Sequence, residues 1–274
     1  LGGTLLSIAV AALARPERVH GAELLPPLAG VSLLAAETDF TEPGELGVLI
    51  DESQVAMLED LMAEHGYLTG RQMGGSFQFL HSRELIWSAT LREIWMGERL
   101  RPNDLMAWNA DVTRMPAAMH SEYLRRCYLR NELAESRYPV EGRPVSLADV
   151  RLPIFLVGTE KDHVSPWRSV YKLHLLTDAE ITFALTNGGH NAGIVSEPGH
   201  PGRHFALRTR QPGDPWIDPD TWVERAPRHE GSWWVAWHEW LAAHGSGTRV
   251  PARAVDEPGL ADAPGSYVRV RYAD

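Results

Sequence analysis

The sequence predicts an α/β fold, in which a mainly parallel sheet is flanked by helices and interrupted by an inserted helical segment. Three short apolar runs are separated by helical patterns, an arrangement typical of parallel sheets. The stretch between the first and second runs has a different character, with helical windows and a group of Gly and aromatic residues. We therefore expect a core formed by residues 1–40 and 117–274 and an inserted cap formed by residues 41–116.

The first two elements are an apolar helix and a buried strand. Apolar residues recur at helical spacing from Thr4 to Leu13. The pattern ends at Arg15-Pro16, since the residue before a proline is disfavoured in a helix. The run Val31–Ala36 then leads to Asp39, as expected of a buried parallel strand with a polar residue at its carboxyl end.

The remaining elements follow from the same periodicities. Helical windows at 53–63 and 79–96 predict the cap. Beyond the cap the patterns predict a helix from Met119 to Leu133, a strand at Leu152–Gly158, a helix at Trp167–Leu176 and a strand at Ile181–Thr186. Regular patterning fades after His190, and only a helix at Ser232–Leu241 and a short strand at Tyr267–Tyr272 are expected there.

Composition and charge exclude several classes of protein. The 274 residues include 36 acidic and 26 basic ones, for a net charge of −10, and the basic residues are scattered. Because a phosphate backbone needs a basic face, we expect no nucleic-acid partner. Cys127 is the single cysteine, so an internal disulfide and a cysteine metal site are excluded. No apolar run is long enough to span a membrane, and we expect a cytoplasmic protein without a metal or cofactor.

Two polar loops carry the candidate catalytic residues. One loop follows the strand at Leu152–Gly158 and contains Asp162, and the other follows the strand at Ile181–Thr186 and contains His190. Open α/β sheets build their active sites at the carboxyl ends of such strands. An Asp there can accept the Nδ1 proton of a His and leave Nε2 as a base. Taken singly, Asp162 also fits a helix N-cap, and His190 also fits a glycine-flanked turn.

The chain order predicts a nucleophile upstream of both residues. Nucleophile, acid and histidine follow one another in this order in the α/β-hydrolase fold, where the nucleophile lies on a G-x-S/C-x-G elbow between a strand and a helix. Leu1-Gly2-Gly3 and the helix after it match the second half of such an elbow. We therefore expect a fragment whose nucleophile immediately precedes Leu1. Cys127 lies in a helical stretch without an elbow, which indicates a packed thiol.

Several longer segments resemble the polyhydroxyalkanoate synthases, and the class I enzymes most of all. The resemblance covers essentially the whole chain and rests on Gly44–Gly47, Asn103–Asp111, Tyr123–Arg125, Asp162–Trp167, Gly188–Gly193, Glu230–Trp234 and Ala263–Val268. It implies the C-terminal part of a catalytic domain that polymerises (R)-3-hydroxyacyl-CoA and releases CoA, through a triad of cysteine, histidine and aspartate. The family's acid and base correspond to Asp162 and His190.

The resemblance also implies where the remaining machinery lies. The last two positions of the family's G-x-C-x-G motif match Leu1 and Gly2, so the cysteine itself is absent from this chain. The backbone N–H of Leu1 would then be an oxyanion-hole donor, worth on the order of 3 kcal/mol in such sites. Either Asp162 or His190 would activate the 3-hydroxyl group. Partners implied by the family are a second copy bound through the cap, the growing polyester chain and the granule surface in the cytoplasm.

Two other functions fit the same residues. An esterase or thioesterase of the same fold would transfer the acyl group to water, and measurement of CoA release with and without polymer distinguishes it from a synthase. A catalytically inactive remnant that dimerises or binds granules would lack an upstream nucleophile altogether.

Overall fold

The computed structural model describes residues 1–15, 20–22, 27–69, 72, 94–97, 104, 108, 114–252, 261–262 and 265–266. Two compact units divide the chain. The first consists of Leu1–Gly66 and Pro116–His244, and the second of Tyr67–Met115 and Gly245–Asp274. In the second unit the guanidinium of Arg114 lies over the ring of Tyr67, 4.4 Å from its centroid. All elements described below belong to the first unit.

The first unit is an α/β structure with a mainly parallel five-stranded sheet. Its helices are α1 (Gly2–Ala14), α2 (Glu52–Ala63), α3 (Ala117–Tyr123), α4 (Trp167–Tyr171), α5 (Leu173–Leu176), α6 (His190–Ile194), α7 (Pro219–Arg225) and α8 (Trp233–His244). Its strands are β1 (Val31–Leu34), β2 (Pro139–Val140), β3 (Arg143–Pro144), β4 (Ile154–Thr159), β5 (Ile181–Thr186), β6 (His204–Arg210) and β7 (Arg228–Glu230). Short 3₁₀ helices lie at Glu45–Leu49 and Leu147–Asp149, and a π-helix at Leu124–Leu129 follows α3.

The strand order is β1-β4-β5-β6-β7, while β2 and β3 form a separate antiparallel pair. Strand β4 pairs in parallel with β1 and with β5. Strand β6 pairs antiparallel with β5, and β7 pairs antiparallel with β6. The carboxyl ends of β1, β4 and β5 therefore lie at one edge of the sheet.

Alternate residues of β4 pack into two separate clusters, because successive side chains of a strand face opposite sides. Ile154 and Leu156 belong to the larger cluster, which includes residues of α1, α4 and α5. Phe155 and Val157 belong to a second cluster, which includes Trp233 of α8. Every residue of β4 and β5 is buried, which explains why both strands consist of nearly continuous apolar runs.

Most of the predicted elements are confirmed, with shifted ends. Helix α1 ends at Ala14, and Arg15 adopts an extended conformation before Pro16. Strand β1 stops two residues early, at Leu34, because Ala35 has a φ of 46°. The helix predicted to end at Leu133 ends after the π-helix, where Asn131 has a φ of 47°. The helix predicted at Trp167–Leu176 is divided into α4 and α5.

The prediction that regular structure fades after His190 is wrong, because β6, α7 and β7 lie there. The helical window at 53–63 coincides with α2. Nearly all of the window at 79–96, and the strand predicted at Tyr267–Tyr272, lie outside the described residues. The division into a core and a cap at residues 41–116 stays a prediction. Within the part of the chain that the structure describes, no helix combines the length and hydropathy that a bilayer crossing requires.

Candidate active site

Asp162 lies in the loop after β4, and its carboxylate is fully engaged. Its Oδ1 atom accepts hydrogen bonds from the backbone N–H groups of Val164 (2.9 Å) and Ser165 (2.8 Å). Its Oδ2 atom accepts a hydrogen bond from Thr159 Oγ1 (3.2 Å) and lies 2.8 Å from His190 Nδ1. The Asp162 side chain is completely buried. One oxygen therefore shapes the turn before α4, while the other is directed to the histidine.

His190 is the first residue of α6 and follows the short loop after β5. With Asp162 accepting from its Nδ1 atom, the Nε2 atom carries the lone pair and can act as a base. The side chain is 35% exposed, so Nε2 is accessible to a reacting group. The structure thus brings together the two residues that the sequence singled out, in the geometry that general-base catalysis requires.

Main-chain hydrogen bonds join the Asp162 and His190 loops. The N–H of Glu160 donates to the carbonyl oxygen of Thr186 (2.9 Å), and the N–H of Lys161 donates to that of Gly188 (2.9 Å). Gly188 has a φ of +107°, a conformation that side-chain-bearing residues rarely adopt. These contacts continue the β4–β5 pairing beyond the strands, so the distance between Asp162 and His190 is fixed by the backbone.

Gly193, one turn after His190, leaves room for Thr159. A Cβ atom on Gly193 would lie 2.6 Å from Thr159 Cγ2 and 3.1 Å from the carbonyl oxygen of Asn187. Thr159 is the residue whose hydroxyl donates to Asp162. Gly193, the last residue of the Gly-Gly-His-Asn-Ala-Gly segment, is therefore required for packing, because only a residue without a side chain lets α6 approach β4 this closely.

Helix α8 fixes the C-terminal end of α6. The indole N–H groups of Trp233 and Trp234 donate to the carbonyl oxygens of Gly193 (3.0 Å) and Ile194 (2.9 Å). Last-turn carbonyls have no partner within their own helix, and here two tryptophans supply it. Trp233 and Trp240 of α8 are buried.

A second carboxyl group, Glu37, lies within electrostatic range of Asp162 and was not predicted from the sequence. It follows β1, and its main-chain oxygen accepts a hydrogen bond from Thr4 Oγ1 (2.8 Å) on the first turn of α1. Burial is the main cause that raises the pKa of Glu37 to about 8, and the negative charge of Asp162 contributes to this rise. The signal was present in the sequence, because Glu37 follows its strand much as Asp162 and His190 follow theirs. The polar end of that strand was predicted at Asp39 instead.

Asp39 has a structural role in the loop after β1. Its Oδ1 atom accepts hydrogen bonds from the N–H of Thr41 (2.9 Å), the hydroxyl of Thr41 (2.6 Å) and the amide of Asn131 (3.1 Å). Burial alone would raise the pKa of Asp39, but the hydrogen bonds from Thr41 outweigh it and the pKa is lowered. Asp39 is therefore a carboxylate that holds the loop together.

The remaining candidates lie apart from the dyad or stay predictions. Leu1 precedes α1, and its carbonyl oxygen accepts the first helical hydrogen bond, from the N–H of Leu5 (2.9 Å). Its role as an oxyanion-hole donor stays a prediction. Cys127 is completely buried, as expected of a packed thiol, and burial raises its pKa to about 12. Among the described residues, no group of three or more His, Cys, Asp or Glu side chains is arranged to hold a metal ion.

Comparison with known proteins gives a consistent result. No family model matches the chain. It is 39% identical over 273 residues to the poly(3-hydroxyalkanoate) polymerase subunit PhaC of Rhizobium meliloti, covering 99% of this chain and 43% of that protein. It is 38% identical to the poly(3-hydroxyalkanoate) polymerase of Methylorubrum extorquens, covering 99% of this chain and 44% of the relative.

The subunit PhaC of Cupriavidus necator is 34% identical over 286 residues, again with 99% of this chain and 46% of the relative covered. The chain is related to the poly(3-hydroxyalkanoate) polymerases. The resemblance that the motifs indicated is therefore confirmed. The chain spans less than half the length of the polymerases it matches.

Proposed function

We propose that this chain is the C-terminal catalytic part of a polyhydroxyalkanoate synthase, which polymerises (R)-3-hydroxyacyl-CoA into polyester and releases CoA. The observation that carries the proposal is the 2.8 Å contact between His190 Nδ1 and Asp162 Oδ2 at the carboxyl edge of a parallel sheet. Poly(3-hydroxyalkanoate) polymerases that are 38% and 39% identical to the chain align with 99% of its length, which supports the reaction class.

The fold proposed for the complete enzyme is the α/β-hydrolase fold. The order α1, β1, β4 and β5, with an acid after β4 and a histidine after β5, supports it. In this fold the nucleophile is the residue before Leu1, at the start of α1, and the backbone N–H of Leu1 donates to the oxyanion. The sequence-based prediction of a cap at residues 41–116 belongs to the same proposal, since a cap would exclude water from the reaction.

The proposed reaction starts from a cysteine thiol. His190 Nε2 takes the thiol proton, and the thiolate attacks the carbonyl carbon of the acyl-CoA thioester. The C–S bond to CoA breaks, and the CoA sulfur takes the proton from the His190 imidazolium, so that one thioester replaces another at little thermodynamic cost. Asp162 stabilises the imidazolium and holds the histidine tautomer. The 3-hydroxyl group of a second unit then attacks the enzyme-bound thioester and extends the chain.

The partners and location follow from the same proposal. The ligands are the acyl-CoA substrate and the growing polyester, and the chemistry of thioester exchange requires no cofactor. The enzyme would form a homodimer through the cap and act at the surface of polyester granules in the cytoplasm.

The test is an assay of the complete gene product that contains residues 1–274. CoA release from (R)-3-hydroxybutyryl-CoA and polymer mass are measured together. Release with polymer supports a synthase, release with only free 3-hydroxybutyrate indicates an esterase or thioesterase, and no release indicates an inactive remnant. The His190→Ala variant should release no CoA. The matched control is His200→Ala, which removes an exposed histidine paired with Glu197 and should retain the wild-type rate.

A further inference from the structure

Chain elongation requires a proton acceptor for the 3-hydroxyl group. Of the two residues named above for this step, His190 is already the proposed base for the cysteine thiol, and the contacts of Asp162 leave it no free acceptor position in the observed arrangement. A carboxylate has about four acceptor positions. Asp162 uses them for two backbone N–H groups, the hydroxyl of Thr159 and the ring of His190. A substrate hydroxyl could reach Asp162 only by displacing one of these donors, in a pocket where the carboxylate has no exposed surface.

Glu37 offers the free carboxyl oxygen that Asp162 lacks. The residue is only 4% exposed. Its Oε1 atom is buried and has no hydrogen-bond partner in the part of the chain that the structure describes. An unpaired buried polar atom costs free energy, and a ligand that donates a hydrogen bond to Oε1 would offset this cost. The 3-hydroxyl group of the proposed substrate is a donor of the right kind.

The position of Glu37 in the sheet also suits this role. Strand β4 lies between β1 and β5, so Glu37, Asp162 and His190 follow the carboxyl ends of three adjacent strands. The hydrogen bond from Thr4 to the Glu37 carbonyl ties the residue to the first turn of α1, next to the position proposed for the nucleophile. The Glu37 carboxyl is also within electrostatic range of Asp162, so the residue is linked both to the start of α1 and to the Asp162–His190 pair.

We propose that Glu37 accepts the proton of the 3-hydroxyl group during chain elongation, an inference that rests on the function proposed above. The O–H bond breaks, and the hydroxyl oxygen forms a bond to the carbonyl carbon of the enzyme-bound thioester. The C–S bond breaks and leaves the thiolate, while the proton stays on Glu37. In the next acylation the proton passes to the departing CoA sulfur. One ester and one CoA thiol form per cycle, and no other reactant is consumed.

The surroundings of Glu37 place its proton exchange near neutral pH. Burial is the main cause of its raised pKa of about 8, and the charges of Asp162 and Asp39 act in the same direction. The ammonium of Lys172 opposes them. The phenols of Tyr123 and Tyr128 also lie within electrostatic range. A base with a pKa close to the working pH is the most effective proton acceptor.

The experiment separates acylation from elongation in the complete gene product. Single-turnover CoA release from (R)-3-hydroxybutyryl-CoA reports acylation, and polymer growth under multiple turnover reports elongation, each from pH 6 to pH 9. In the wild type the elongation rate should rise with pH and level off above about 8. Glu37→Gln should lower elongation about 100-fold and abolish this rise, while single-turnover CoA release stays within about twofold.

Two further variants make the result specific. Glu224→Gln changes an exposed carboxyl on α7 and should behave as the wild type. Glu37→Asp retains a carboxylic acid and should restore part of the elongation. Wild-type elongation with an unchanged pH profile in Glu37→Gln would overturn the inference alone. A wild-type protein that releases no CoA would overturn the proposed function, and this inference with it.

Discussion

The indole Nε1 atom of Trp234 donates a 2.9 Å hydrogen bond to the carbonyl oxygen of Ile194, the last residue of α6. Helix α6 has only five residues and begins with His190. So short a helix has little stability of its own, and its orientation depends on contacts from other elements. Trp234 is therefore a positioning residue for the histidine, although it lies 44 positions further along the chain.

Replacement of Trp234 by Phe should lower kcat about fivefold to tenfold with little change in KM. The variant keeps an aromatic ring and removes the N–H donor, so the Ile194 carbonyl loses its partner and α6 is less firmly held. The loss of one hydrogen bond should also cost about 1 kcal/mol of unfolding free energy. Trp237→Phe is the control, because that indole N–H donates to Ser32 Oγ on β1 and not to α6. Equal kcat values in the two variants would contradict the positioning role.

Asp162→Asn should reduce CoA release in the complete gene product by about 10³- to 10⁴-fold. The amide has only one acceptor oxygen, and its NH₂ group favours the wrong tautomer of His190. Steady-state kinetics measure the loss. Asp220→Asn removes an exposed carboxylate paired with Arg168 and provides the comparison. Activity within tenfold of the wild type in Asp162→Asn would remove this residue from the proposed mechanism.

Gly193→Ala should destabilise the protein and lower its activity together. The new Cβ atom would lie 2.6 Å from Thr159 Cγ2, so either α6 or Thr159 must move, and Thr159 donates to Asp162. A cost of about 1–3 kcal/mol is typical of such overpacking. Urea unfolding measures it. Gly189→Ala is the control for stability, because a Cβ atom there would lie 3.7 Å from the Lys161 carbonyl oxygen, an ordinary van der Waals distance. Equal unfolding free energies in the two variants would show that α6 has room to adjust.

His174 should make the folded protein less stable as the pH falls below 7. Its ring is buried, stacks on Tyr171 and bonds to the Tyr171 carbonyl oxygen through Nδ1 (2.9 Å). Burial lowers the pKa of His174 from 6.5 to about 4. Between these two values the unfolded chain binds a proton that the folded chain does not, so stability is full above pH 6.5 and is lost towards pH 4. The loss is on the order of 3 kcal/mol, since one pKa unit corresponds to about 1.4 kcal/mol.

The His174 effect is isolated by comparison with His174→Phe, which keeps an aromatic ring but does not titrate. Glu37 acts in the opposite direction, because its pKa is raised from 4.5 to about 8 and its neutral form is favoured in the folded state. Its contribution cancels when the two proteins are compared at each pH. The difference in urea-unfolding free energy should change by a few kcal/mol between pH 7 and pH 4, and a constant difference would disprove the prediction.

Cys127 should resist thiol reagents in the folded protein. The side chain is completely buried, and burial raises its pKa to about 12, so almost no thiolate exists at pH 8. Labelling with a chromogenic disulfide should be slow in buffer and complete within minutes in denaturant. Fast labelling without denaturant would indicate that the π-helix at Leu124–Leu129 opens readily.

The Asp162–His190 pair could be predicted because each residue follows a strand with a strong apolar signal. Buried parallel strands are nearly continuous apolar runs, and β4 and β5 are both of this kind. Strand β6 was missed because its apolar run is only three residues long, Phe205 to Leu207, and is followed by Arg208-Thr209-Arg210 within a region rich in Gly, Pro and Trp. Its pairing with β5 and β7 stabilises it as a strand, and such contacts leave no local periodicity.

The role of Glu37 could not be predicted for a similar reason. Its chemistry depends on burial and on the negative charge of Asp162, a residue 125 positions away in the chain. From the sequence alone, Glu37 and Asp39 are equivalent carboxyl groups after one strand. The structure distinguishes them because Asn131 and Thr41 donate hydrogen bonds to Asp39 and no such donor reaches Glu37 Oε1 in the described residues.

Strand β6 is antiparallel to β5, so it begins at the edge of the sheet where β5 ends. Asn187 joins the two ends of the connection between β5 and β6. Its N–H donates to the His204 carbonyl oxygen (3.1 Å), and its side-chain amide donates to the Gly202 carbonyl oxygen (2.9 Å). The connection between β5 and β6 thus begins and ends beside His190. Insertions or deletions within it would leave the register of both strands unchanged. Related enzymes can therefore diverge in the walls around the histidine during evolution while they inherit the same proton-transfer geometry.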